Sequence, residues 1–183
     1  METFGLCPKH LESICNEHDP GAVILVHVLG VPCDMDAILG LERAPRLNVM
    51  DDACEATGFM YDGIKVGNFG DFSSFSFFFG HHLSTIEGGM VSTNHIEMQH
   101  LLMHLRSHGW AKDVPSEVEA QQWAAYSFDE YNRPFTFYHP GFNLRATDLQ
   151  AKIGLSQMKK IDSVVERRVE NYSVYRELLE GHG

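Results

Sequence analysis

Two groups of residues have the types and spacing that chemistry needs. The first is Asp51-Asp52, which closes the apolar run 47–50. A carboxylate where a buried strand meets a loop can be a turn cap. It can equally face a cationic ring nitrogen, the contact that keeps a pyridinium electron sink protonated. The second is His81-His82, between the apolar run 72–79 and the polar stretch Ser84-Thr85-Ile86-Glu87-Gly88-Gly89. One His there is usually structural, but a pair beside such a loop points to proton transfer, because imidazole titrates near neutrality. His100, His104 and His108 stand at i, i+4, i+8 with Glu97 one turn earlier. That spacing suits a metal on a helix, yet no recognised metal motif surrounds it, and it reads as a solvated polar face. Glu166-Arg167-Arg168 reads the same way. Cys7, Cys15, Cys33 and Cys54 form no CxxC pair and read as reduced thiols.

These residues need elements to hold them. Asp19-Pro20-Gly21 is a turn signal, and 22–29, rich in Val and Leu, reads as a fully buried strand. Residues 34–41 read as a short helix, 47–50 as a second buried strand and 63–70 as a glycine-rich loop. In a third strand, 72–79, a period of two places Phe75, Phe77 and Phe79 on one face and Ser74 and Ser76 on the other. A short strand follows at 90–92. Asn94 then caps a helix from 95 to about 108, with Met98, Leu101, Leu102 and Leu105 facing inward. Residues 110–140 form a long irregular excursion. Thr147-Asp148-Leu149-Gln150 is a capping box that opens a long amphipathic helix with room for a break. Strands interleaved with helices give an α/β sheet layered with helices. In such sheets ligands sit beyond the carboxyl ends of strands, where Asp52 and His81 both fall.

Composition excludes several classes. The 183 residues hold 25 acidic and 14 basic side chains, a net charge of −11. That surface repels phosphate backbones and anionic bilayers, so neither nucleic acid nor membrane is an expected partner. No apolar run approaches the roughly 20 residues of a membrane span. The start, METFGLCPKH, lacks the basic and apolar regions of a secretion signal, so a cytoplasmic location is expected.

The run Val49-Met50-Asp51-Asp52-Ala53-Cys54-Glu55-Ala56-Thr57-Gly58 resembles a signature of the DegT/DnrJ/EryC1/StrS family, vitamin B6-dependent enzymes acting on nucleotide sugars. Gly67 to Asp71, Phe75-Ser76-Phe77, Glu87-Gly88-Gly89, His108-Gly109, Gly141-Phe142-Asn143-Leu144-Arg145 and Thr147 to Ala151 continue the likeness in order. The resemblance implies part of the large domain of the fold-type-I PLP-dependent transferases, a three-layer α/β/α mixed sheet. Residues 1–145 would belong to that cofactor-binding domain, and 146–183 would lead towards a small C-terminal domain. The chain would then be the middle of a longer enzyme.

His81 stands where aminotransferases of the family place the Lys that holds the cofactor covalently. In this the chain resembles the sugar 3-dehydratase branch. Those enzymes hold pyridoxamine phosphate noncovalently and use this His as the base. One type in that branch carries an iron–sulfur cluster, which needs thiolates. Residues 112–140 contain no Cys, so the likeness is to the cluster-free type acting on GDP-4-keto-6-deoxy-D-mannose. By resemblance Asp52 pairs with the pyridine nitrogen of pyridoxal or pyridoxamine phosphate and Glu55 stands beside the ring hydroxyl. Ser76 binds the cofactor phosphate, and Asn143 reaches that of the neighbouring subunit of a homodimer. The substrate would be a nucleotide-linked 4-keto-6-deoxy sugar of deoxysugar (O-antigen) biosynthesis, with glutamate as amino donor. Two alternatives stay open. A sugar aminotransferase would need another lysine, Lys65 or Lys112, at the cofactor. A noncatalytic chain would act only through subunit association.

Overall fold

Pro8 opens the first element of the computed structural model, which describes residues 4–41, 47–113, 115–126 and 131–180. In chain order the elements are α1 (Pro8–His18), β1 (Ala22–Val26), α2 (Met35–Leu39), β2 (Asn48–Asp52), β3 (Met60–Tyr61), β4 (Ile64–Lys65), β5 (Phe72–Ser76), β6 (Gly89–Thr93), α3 (Ile96–Leu105), α4 (Ser116–Tyr126), α5 (Asp148–Met158) and α6 (Ile161–Glu180). They form two compact units, Met1–Ser92 with Asp148–Gly183 and Thr93–Thr147.

In the first unit a four-stranded sheet has the order β1-β2-β5-β6. β1, β2 and β5 are parallel, with Ala22 opposite Asn48, Val26 opposite Asp52 and Asp52 opposite Ser74. Paired residues of parallel strands share a face. On one face Leu25 and Val49 pack with Leu11 and Cys15 of α1 and with Met35 and Ile38 of α2, which makes the core. α2 is capped by Asp34, whose Oδ1 accepts the Ala37 N–H at 3.1 Å. The other face of β1 is open: Ile24 is 59 % exposed and Val26 41 %. The expected fully buried strand is therefore a half-buried one, because helices cover it from one side only.

Three local features depart from the sequence reading. α1 was not anticipated, since Leu11 and Cys15 are its only buried side chains and so sparse a pattern gives no period. The expected glycine loop 63–70 contains half of a hairpin. Met60 pairs with Lys65 and Tyr61 with Ile64 around Asp62-Gly63, and both turn residues have positive φ, 49° and 81°. That is the turn for which Asp-Gly is suited. The third strand stops at Ser76 rather than Phe79, because the chain must bend at Gly80 to bring His81 back towards Phe78 O. Phe79 is consequently 72 % exposed and lies beyond the strand rather than on one strand face with Phe75.

α5 and α6 form the expected long helix, broken between Met158 and Ile161. α5 braces the loop before β6. The Gln150 side-chain amide donates to Glu87 O at 2.7 Å, and a Cβ on Gly154 would lie 3.1 Å from Thr85 Cγ2.

In the second unit α3 ends at Leu105, three residues early, and His95 rather than Asn94 holds the N-cap position. Its buried residue is His104, 1 % exposed, whose ring lies edge-on to Tyr138 and His139. His104 is thus not on a solvated face. The helix is rotated so that Met98, expected inward, is 39 % exposed. The excursion folds back on the segment after α3. Trp110 stacks on Phe137 and donates its indole N–H to Pro134 O at 2.7 Å, and Ser107 forms a backbone bridge with Asn143. No helix of the described residues is long and apolar enough to cross a membrane.

Candidate active site

Because β2 and β5 are parallel and in register, their carboxyl ends deliver Asp52, Ser74 and Ser76 to one face of the sheet, opposite the α1–α2 core. Asp52 Oδ1 accepts the Ser74 hydroxyl at 3.1 Å and the Cys54 N–H at 3.2 Å. Burial opposes its charge, but hydrogen bonds from Cys54 and Ser74 outweigh that and hold its carboxyl below the usual range. Oδ2 makes no hydrogen bond to any described residue. An ionised carboxylate with one oxygen fixed and the other open can face a cationic ring N–H.

Asp51 has a different task. Its Oδ2 accepts the Phe69 and Gly70 N–H groups at 3.0 and 3.2 Å, and its Oδ1 faces His27 Nε2 at 3.8 Å. Both side chains are fully buried. The Cys33 N–H donates to His27 Nδ1 at 3.0 Å, which places the ring proton on Nε2, towards Asp51. Adjacent aspartates on opposite faces of one strand thus divide the work. Asp51 fixes the loop at Phe69-Gly70, and Asp52 faces outward.

Beyond Asp52 the chain turns through Ala53 to Glu55. Glu55 Oε2 accepts the Leu29 N–H at 2.6 Å. Leu29 has φ +55° and ψ 24°, a left-handed conformation that costs a non-glycine residue about 1–3 kcal/mol. The contact with Glu55 helps offset that cost. Glu55 and His81 line one cavity of about 560 Å³, together with Phe59, His82, Arg168 and Tyr172. His81 is half-buried there. His82 is buried, packed edge-on against Phe59 with ring centroids 5.7 Å apart. Burial first, and then the nearby Arg168 charge, push its imidazole down to about 4. Unfolded, it would take up a proton below about 6.5; folded, it resists until about 4. Stability from this group is therefore present above pH 6.5 and is lost as pH falls from 6.5 to 4. A His82→Leu variant is expected to flatten that part of the stability-versus-pH curve, as read by urea unfolding at stepped pH.

The structure places Glu55 and His81 on the same cavity, whereas Asp52 and Ser76 are not among the described residues that line it. Ser76 ends β5, half-buried, with its Oγ accepting the Phe78 N–H at 3.3 Å. Asn143 is exposed and lies in the second unit, on the backbone bridge with Ser107. Among the described residues no lysine lines the cavity. Lys65 is exposed on β4, and Lys112, in the second unit, sits over the Trp110 ring at 5.3 Å. Sequence reasoning missed Arg168 and Tyr172. The available signal was the helical stripe Ile161, Val165, Arg168, Tyr172, which puts Arg168, itself exposed, on the edge of α6 that borders the cavity.

A mixed sheet with an ionised Asp at the end of a parallel strand, followed by a His-bearing loop, belongs to an α/β fold shared with pyridoxal phosphate-dependent aminotransferases. The chain is a member of the DegT/DnrJ/EryC1/StrS aminotransferase family, whose profile matches residues 1–183. Among similar curated proteins, the GDP-4-keto-6-deoxy-D-mannose 3-dehydratase of Yersinia pseudotuberculosis is 35 % identical over 163 residues, covering 88 % of this chain and 40 % of that protein. A crystal structure of a GDP-4-keto-6-deoxymannose-3-dehydratase mutant with bound GDP-perosamine superposes with a TM-score of 0.87 at 26 % identity, covering 98 % of this chain and 46 % of that one. Another, with a trapped PLP-glutamate geminal diamine, gives 0.75 at 27 % identity and covers 87 % and 41 %. The chain thus spans less than half the length of the relatives it matches.

Proposed function

We propose that this chain is the catalytic core of a nucleotide-sugar 3-dehydratase that uses pyridoxamine phosphate, with His81 in place of the lysine of the aminotransferases. The observation that carries this reading is the cavity itself. It presents an imidazole and a carboxylate to a ligand, and among the described residues no lysine lines it. When bound, the cofactor supplies a free amine for the sugar's C4 ketone and a ring that delocalises negative charge.

The chain's own residues do the rest. Asp52, kept ionised by Ser74 and Cys54, holds the ring nitrogen protonated. Glu55, anchored on Leu29, stands beside the ring hydroxyl. Ser76 binds the cofactor phosphate, and Asn143 reaches that of the neighbouring subunit in a homodimer. His81 would be the base for the proton on the cofactor's C4′ carbon, and with a GDP-linked 4-keto-6-deoxy sugar as substrate the bound cofactor would supply the chemistry for loss of the C3 hydroxyl as water, with glutamate as the amino donor. In this reading residues 1–145 belong to the cofactor-binding domain and 146–183 lead out of it.

The test is intact mass after pyridoxal phosphate is added and the sample reduced with borohydride, with cofactor fluorescence of the unreduced sample. The expected result is bound cofactor without a covalent adduct. A stoichiometric adduct on one lysine would restore the aminotransferase reading. Absence of binding would leave subunit association as the chain's role.

A further inference from the structure

We propose that Arg168, with the Tyr172 hydroxyl one turn further along α6, forms a subsite for an anionic oxygen group, carboxylate or phosphate, of the molecule that enters the His81 cavity. The source of that anion rests on the function proposed above: the diphosphate of the sugar nucleotide or a carboxylate of the amino donor.

Placement comes first. Arg168, Val169 and Tyr172 line the same cavity as His81 and Glu55, so α6 supplies a wall of the site. The neighbouring arginine shows that this is not a general property of the helix surface. Arg167 pairs with Glu170 at 2.9 Å, one turn along the outer face. Arg168 makes no hydrogen bond or ion pair to any described residue. The other charged group on the cavity wall, Glu55, has one carboxylate oxygen engaged by the Leu29 N–H.

Charge comes second. The chain carries −11 overall, so an uncompensated cation in a concave wall is a local reversal of sign that draws anions to it. His82, buried in the same wall and with its imidazole pushed down to about 4 by burial and then the Arg168 charge, stays neutral at physiological pH and does not compete with Arg168 for the anion. A guanidinium offers two parallel N–H groups to a carboxylate or phosphate, a geometry an ammonium cannot reproduce. Tyr172, at i+4, adds a single O–H donor on the same edge of the helix.

The experiment is calorimetric titration of the full chain, without cofactor, using GDP and glutarate as separate probes. Wild type is compared with Arg168→Ala, Arg168→Lys and, as control, Arg167→Ala. Arg168→Ala is expected to weaken one probe by about tenfold or more, the loss of a charge-assisted hydrogen bond. Arg168→Lys should recover only part of it, and Arg167→Ala should bind as wild type does. Selective loss of GDP assigns the subsite to the nucleotide diphosphate; selective loss of glutarate assigns it to the amino donor. Equal binding by wild type and Arg168→Ala, equal losses in the two alanine variants, or no binding of either probe to wild type would overturn the subsite. A lysine adduct in the borohydride experiment would instead overturn the dehydratase reading and leave these titrations interpretable.

Discussion

Replacing His81 by Asn is expected to lower the rate of the C3 deoxygenation proposed above by about 10²–10⁴-fold, the range for loss of a positioned general base. Asparagine keeps a hydrogen-bonding edge of similar reach but cannot accept a proton near neutral pH. Cofactor affinity, read by fluorescence of the bound ring, should stay close to wild type, because the proposed function gives the holding of the cofactor to Asp52, Glu55 and Ser76 and not to His81. His82 offers no rescue. It is buried against Phe59, and its proton affinity is too low for a base at neutral pH. Full activity in His81→Asn would remove the imidazole from the mechanism. The converse substitution, His81→Lys, should create a borohydride-trappable adduct, which the proposed function expects to be absent from the natural chain.

The second large effect is on stability. Asp51→Ala should lower the unfolding free energy by about 2–5 kcal/mol, the cost of leaving two buried N–H donors without their acceptor. Two N–H groups, those of Phe69 and Gly70, would lose their acceptor inside the protein, and His27 would keep a buried N–H with nothing opposite it. Asp51→Asn should cost less, since its carbonyl oxygen can still accept from the loop. Adding His27→Leu to Asp51→Ala should recover part of the loss by removing the stranded polar ring. Urea unfolding followed by circular dichroism reads all three. A loss below about 1 kcal/mol in Asp51→Ala would mean that the loop at Phe69-Gly70 is held by something else.

What sequence made legible was governed by how local each cause is. The second and third strands, the turn into Glu55 and the position of His81 follow from short apolar runs and the residues that end them. Those are nearest-neighbour effects. The break between α5 and α6 was likewise open in the pattern. What escaped reading depends on which surfaces find a partner. Ile24 and Val26 look as buried as Leu25 in the sequence, and only the one-sided cover of the sheet separates them. His104 is polar by type and buried by context, since the segment around Tyr138 folds back over α3. Arg168 belongs to a charged run, and only the packing of α6 turns it towards the cavity. The Asp62-Gly63 hairpin was a missed local signal, hidden among glycines that suggested a plain loop.

The brace between α5 and the loop before β6 has a kinetic consequence. Glu87 O is held by the Gln150 side chain, and Gly154 leaves room for the Thr85 methyl. The backbone from Thr85 to Gly88 is also tied to Phe77 at the end of the sheet, through Thr85 N to Phe77 O and Phe77 N to Gly88 O. This segment, only a few residues beyond His81, therefore cannot fray as a free loop would. It opens only when the first turns of α5 let go, so the two belong to one cooperative unit and should lose their amide protection together in native-state hydrogen exchange.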